Sequence, residues 1–118
     1  MRFSSFIPLK RKKSRYDIME KAFYLGIEES LQLMDLYYEY NDDYKQKLNI
    51  LTQIHTHLQG AQACLAAINT KKVSYNSVQN MEGIIEYAFY LFQHIEERTL
   101  KDDRRTLSEK VHKKIEKL

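Results

Sequence analysis

From Arg15 to Leu118 the chain contains no proline and only three glycines, Gly26, Gly60 and Gly83. Proline breaks a helix and glycine weakens one, so a stretch nearly free of both runs most readily as long helices joined by short turns. The apolar spacing agrees. Tyr44, Leu48, Leu51, Ile54, Leu58, Ala61, Leu65 and Ile68 recur in steps of three and four, the rhythm of a helix that buries one face against neighbours. Val78, Met81, Ile85, Ala88, Phe92 and Ile95 repeat it, with Ile84, Tyr87 and Leu91 beside them.

Earlier in the chain, Ile18, Ala22, Leu25, Leu33, Leu36 and Tyr40 form one stripe, and Phe23, Ile27, Leu31, Met34 and Tyr38 form a second next to it. A face that wide needs more than one partner, so this helix is either central in a bundle or half of an intermolecular interface. Leu107, Val111, Ile115 and Leu118 mark a short last helix with a narrow stripe. Its opposite face, expected to point outward, carries Arg104, Arg105, Lys110, Lys113, Lys114 and Lys117.

Helix starts are expected where a side-chain oxygen can satisfy free backbone amides. Ser14 with Asp17 and Thr99 with Asp102 have the capping-box spacing, an N-cap lies in Asn41-Asp42-Asp43, and Ser74 or Ser77 opens the third helix. The small run Gly60 to Ala67 admits close approach of another helix. The reading is an all-α antiparallel four-helix bundle with helices at about 15–40, 43–69, 75–97 and 100–118, behind a flexible basic arm at 1–14. At 118 residues the chain fits one domain, burying roughly two thirds of its unfolded surface.

Charge is unevenly spread. Six cations and no acid fall in the first fifteen residues (Arg2, Lys10, Arg11, Lys12, Lys13, Arg15), whereas residues 16 to 100 hold twelve acids against six cations. The last eighteen residues return to seven cations against four acids. A basic run usually meets an anion, and one of this density binds phosphates non-specifically and with strong salt dependence. Phe3, Phe6 and Tyr16 are near enough to stack on bases. The competing reading is a solvated tail that keeps the protein soluble.

Cys64 stands alone, so the chain forms no internal disulfide and suits a reducing compartment, with the cytoplasm expected. No run approaches the roughly twenty apolar residues of a membrane span, and no secretory signal is evident. Phe3, Phe6, Ile7 and Leu9 ahead of the basic run leave a membrane-surface or mitochondrial-type arm as an alternative.

Catalytic constellations are sparse. A bundle-borne di-metal site needs two Glu-x-x-His motifs, and Glu109-x-x-His112 has no counterpart, since His94-x-x-Glu97 runs in reverse. His55 and His57 diverge by about 200 degrees on a helix and cannot chelate one ion; His55 borders the core stripe and His57 is expected to face solvent. Arg105 with His112 is loosely similar to the Arg-and-His element of helical ribonucleases of the HEPN type, with Thr106 where a polar Asn, Asp or His often follows. Nothing resembles a nucleophile elbow, a phosphate-cradling glycine loop or a Cys–His pair. The expectation is a protein that is not an enzyme and needs no cofactor or metal.

Arg15-Tyr16 at a helix entry, Leu65-Ala66 near the end of the next helix, and Val73-Ser74 followed by Val78, Met81, Ile84, Ile85, Ala88, Leu91 and Phe92 resemble the four-helix-bundle family of 23S rRNA intervening-sequence proteins and retroelement accessory variability proteins. The chain departs from it at Gln93-His94-Ile95, where the family ends in Gly-Gly-Trp, and in its additional last helix. That resemblance implies a basic oligomeric ring engaging RNA and a reverse transcriptase. Phe23-Tyr24-Leu25-Gly26, Asn41-Asp42 and Ile84-Ile85-Glu86-Tyr87-Ala88 are in turn similar to flagellin-type export chaperones, with Leu25 in place of their Asp.

Two functional expectations follow. The first is an accessory protein binding RNA or DNA through Lys10, Arg11, Lys12, Lys13, Arg15, Arg104, Arg105, Lys110, Lys113 and Lys114, as a homo-oligomer or beside a protein partner such as a nucleic-acid enzyme. The second is a protein-binding chaperone or adaptor whose first helix presents Phe23, Tyr24, Ile27 and Leu31 to its partner.

Overall fold

The structure, a computed structural model, describes residues 15–40, 42–68 and 73–118. The basic arm and the Ser14 cap lie outside them. The described residues form four α-helices: α1 (Arg15–Tyr37), α2 (Tyr44–Ala67), α3 (Tyr75–Gln93) and α4 (Lys101–Glu116), with a single 3₁₀ turn at Arg98–Leu100 before the last. None of these helices is long and apolar enough to cross a membrane.

Two starts follow the side-chain logic of the sequence. Asp43 caps α2 by accepting from the Gln46 amide at 3.1 Å, and Ser74 caps α3 by accepting from the Ser77 amide at 3.2 Å. The third does not. Thr99 sits inside the 3₁₀ turn, so Leu100 occupies the cap position of α4 and offers no side-chain oxygen.

Two ends come early. α1 stops at Tyr37 because the next amides bond back three residues, Glu39 to Leu36 and Tyr40 to Tyr37. α3 stops at Gln93, short of the expected residue 97, because α1 seizes the chain that follows. The Tyr37 hydroxyl donates to Glu96 at 2.7 Å, and the Tyr38 hydroxyl donates to the Ile95 carbonyl. Burial, and then that bond to Glu96, pushes the Tyr37 phenol up to about 12.

α1 packs most extensively on α2 and also touches α3 and α4, which accounts for its wide apolar face. Its core stripe is Phe23, Ile27, Leu31 and Met34, and these meet Ile50, Ile54 and Leu58 of α2, Met81, Ile85, Ala88 and Leu91 of α3, and Leu107 and Val111 of α4 in one cluster. Burying each of the larger side chains contributes about 1.5–3 kcal/mol. The stripe through Ile18 and Leu25 is the outer one, with those two residues exposed and Leu33 and Leu36 half-buried.

The contacts run in register. Gly26 lies against His57 and Ala61 of α2, Glu29 reaches His57, and farther along α1 Lys47 lies 4.8 Å from the Tyr37 ring centre. On the other side, Glu28 meets His112 of α4 and Asp35 meets Arg104. Helix–helix proximity through small residues is therefore achieved at Gly26 and Ala61, while Gly60, Ala63, Ala66 and Ala67 face outward. On α2, Tyr44 and Leu48 are exposed and Ile50 is buried, shifting the buried stripe from the expected one at the helix start.

Candidate anion-binding face of the last helix

Of the sixteen residues of α4, three are buried and the rest are exposed or half-buried. Positions 104, 107 and 111 fall on one side and are buried; 110, 113, 114 and 117 fall on the other in steps of three, one and three. Lys110, Lys113, Lys114 and Lys117, with Thr106 and Glu109, line an open surface groove of about 340 Å³. These four lysines form no ion pair among the described residues, whereas one carboxylate, Glu109, shares the groove. Like charges at these spacings oppose the helix by a few tenths of a kcal/mol per pair, an effect the helix dipole partly offsets in the last turn. The arrangement presents four ammonium groups along about 11 Å of helix, suited to a row of phosphates.

The other expected cations are placed differently. Lys10, Arg11, Lys12 and Lys13 lie outside the described residues, and Arg15 is exposed at the first position of α1. Arg105 is exposed but held by Asp102 at 2.9 Å, one turn earlier on the same helix. Arg104 corrects the sequence reading, since it is 3% exposed and turned into the protein, where its guanidinium lies 4.6 Å from the Tyr38 ring centre and 3.5 Å from Asp35. The reason is its register with Leu107 and Val111, which places it on the buried stripe.

The four residues expected to grip a partner protein also require correction. Phe23, Tyr24, Ile27 and Leu31 are no more than 2% exposed and belong to the chain's own core, with Phe23 and Tyr24 in edge-to-face contact at 5.0 Å. The sequence pattern could not separate an internal from an external use of the same apolar face.

His112 sits on the α1-facing flank of α4, with Nδ1 3.1 Å from Glu28 and Nε2 3.4 Å from Glu116. The hydrogen bond to Glu28, followed by the charge of Glu116, raises its pKa above the ordinary histidine value. Both ring nitrogens are thus held by carboxylates, and Arg105, two turns away, has its own acid. The two histidines of α2 also have local neighbours: His55 stacks on Phe92, and His57, half-buried, lies 3.7 Å from Glu29. Among the described residues no three His, Cys, Asp or Glu side chains are grouped to hold a metal ion.

Two features escaped the sequence reading. Tyr87, Tyr90 and His94 form an outer row on α3, with the tyrosine rings 5.9 Å apart and Tyr90 4.5 Å from His94. Their spacing of three and four was visible, but it merged with the flank of the buried stripe. The inward Arg104 was also legible, as a cation three residues before Leu107 and seven before Val111. No protein-family model, no curated protein and no solved structure matches the chain.

Proposed function

We propose that this chain is a non-enzymatic accessory protein that binds RNA or DNA through the lysine stripe of α4 together with the basic N-terminal arm, on an antiparallel four-helix bundle. The observation that carries this reading is the stripe itself, four lysines free of ion pairs among the described residues on a helix whose other side is fixed in the core. The contact register supports the topology. Partners on α2 fall from Ala61 to Lys47, and those on α4 from His112 to Arg104, as α1 is followed forward.

The same register brings Arg15 and the lysine stripe toward one end. With Glu28 level with His112 and Asp35 level with Arg104, Lys117 falls beside about residue 23 of α1, and Arg15 lies about 12 Å farther along. Covalent geometry then keeps Lys10 to Lys13 within about 18 Å of Arg15. One phosphate backbone can reach both, and phosphate contacts of this kind favour any sequence equally.

Fluorescence anisotropy with a labelled single-stranded RNA, a single-stranded DNA and a duplex at low salt tests the proposal. Binding is expected, and changing Lys110, Lys113, Lys114 and Lys117 to Gln should weaken it at least tenfold while the helical circular dichroism is retained. Undiminished affinity in that variant would remove the assignment.

A further inference from the structure

Of the four helices, α3 is the one without a lysine or arginine, and from Ser74 to Glu97 the chain carries Glu82, Glu86, Glu96 and Glu97 with no such cation among them. Its outward side is also aromatic. Tyr87 and Tyr90 are 38% and 43% exposed, their ring planes lie within 7° of each other at 5.9 Å, and His94 continues the row 4.5 Å beyond Tyr90. Carboxylates border the rings. Exposed Glu86 stands one residue before Tyr87 and one turn before Tyr90, Glu97 reaches Nδ1 of His94 at 3.1 Å, and Asp103 of α4 accepts from the Tyr87 hydroxyl.

Exposed tyrosines edged by carboxylates select a cationic partner, because the negative ring face attracts a guanidinium or ammonium group while the acids pair with it. The same acids repel a phosphate backbone. A neutral apolar partner would bury those carboxylates unpaired, which is costly.

We propose that this row receives the basic segment Lys10 to Lys13 of a second copy of the chain. Charge complementarity names the occupant: six cations and no acid fall in the first fifteen residues, against four acids and no lysine or arginine from residue 74 to 97. Length agrees. Four residues in extended form span about 10 Å, and Tyr87 to His94 cover about 10 Å along α3.

The chain's own arm falls short. His55 of α2 stacks on Phe92, and His57 lies against Gly26 and Glu29, so in the proposed topology Tyr90 is level with about residue 28 of α1, about 19 Å along the axis from Arg15. Crossing from α1 to α3 adds a separation of about 8–10 Å between helix axes. Lys10 to Lys13 stay within about 18 Å of Arg15, so they cannot lie along Tyr90 and His94 of the same chain. The inference concerns the protein alone and does not require nucleic-acid binding.

The test mixes two full-length variants, freed of nucleic acid, at low salt. One, ¹⁵N-labelled, has Lys10, Arg11, Lys12 and Lys13 changed to Gln and keeps the α3 row; the other, unlabelled, keeps the arm and carries Tyr90→Ser with Glu86→Gln. Saturable ¹H–¹⁵N shifts of the amides of residues 86 to 97 are expected in the labelled chain, and they should vanish when the unlabelled chain also has the four arm substitutions. Tyr90→Ala in the labelled chain, at an exposed position, should weaken the association about fivefold, the loss of one cation–π contact. Added salt should weaken it as well. In sedimentation velocity the parent alone should grow heavier with concentration, and the arm variant should stay monomeric. Shifts that persist without the arm cations would assign the row to another surface of the second copy and overturn the proposal, as would no shift at all or a parent that stays monomeric.

Discussion

Gly60 and Gly83 have open space where a side chain would begin, whereas a Cβ at Gly26 would stand 3.3 Å from the His57 carbonyl oxygen and 3.4 Å from the Ala61 Cβ. Alanine restricts the unfolded chain and favours a helix, so Gly60→Ala and Gly83→Ala should each stabilise by about 0.5–1 kcal/mol in urea unfolding. Gly26→Ala receives the same benefit but presses on α2 backbone that cannot yield without moving the helix, and a net loss of about 1 kcal/mol is expected. His112 gives a pH signature. Its proton is held more tightly in the folded chain, by Glu28 first and Glu116 second, so the clasp contributes fully below its ordinary pKa and is lost as pH rises through the raised value. The Tm difference between parent and His112→Ala should therefore be largest near pH 6 and nearly vanish near pH 9. A difference that grows with pH would contradict the clasp.

At the scale of the elements, burial decides which apolar residues matter. Leu58 is fully buried and Leu48 is half exposed, though both lie on the sequence stripe of α2. Leu58→Ala should cost about 2–5 kcal/mol, and Leu48→Ala within about 0.5 kcal/mol, by denaturant midpoint. The number and order of the helices were legible because the three-and-four rhythm needs no tertiary information. So were the caps at Asp43 and Ser74, where the bond is local. The end of α3 was not, because it is set by Tyr37 and Tyr38, residues nearly sixty positions away. The lysine stripe could be read from spacing alone. Arg104 was misplaced because a cation was assumed to face water, although its register with Leu107 and Val111 put it inside.

Among the described residues, α1 carries five acids (Asp17, Glu20, Glu28, Glu29 and Asp35) and α2 none, while four lysines line one side of α4. Such an asymmetry neither adds to the core nor explains the fold; it biases which partners approach and how they orient. In the proposed topology, the arm and the α4 stripe act as one phosphate-binding surface, and the compact bundle holds them together. The most direct measurement is the slope of log Kobs against log salt concentration for single-stranded RNA, parent against the variant with Lys110, Lys113, Lys114 and Lys117 changed to Gln. Each lost phosphate contact on a single strand reduces the slope by about 0.7, so the variant should be shallower by about three. Equal slopes, or no binding by the parent at low salt, would contradict the account.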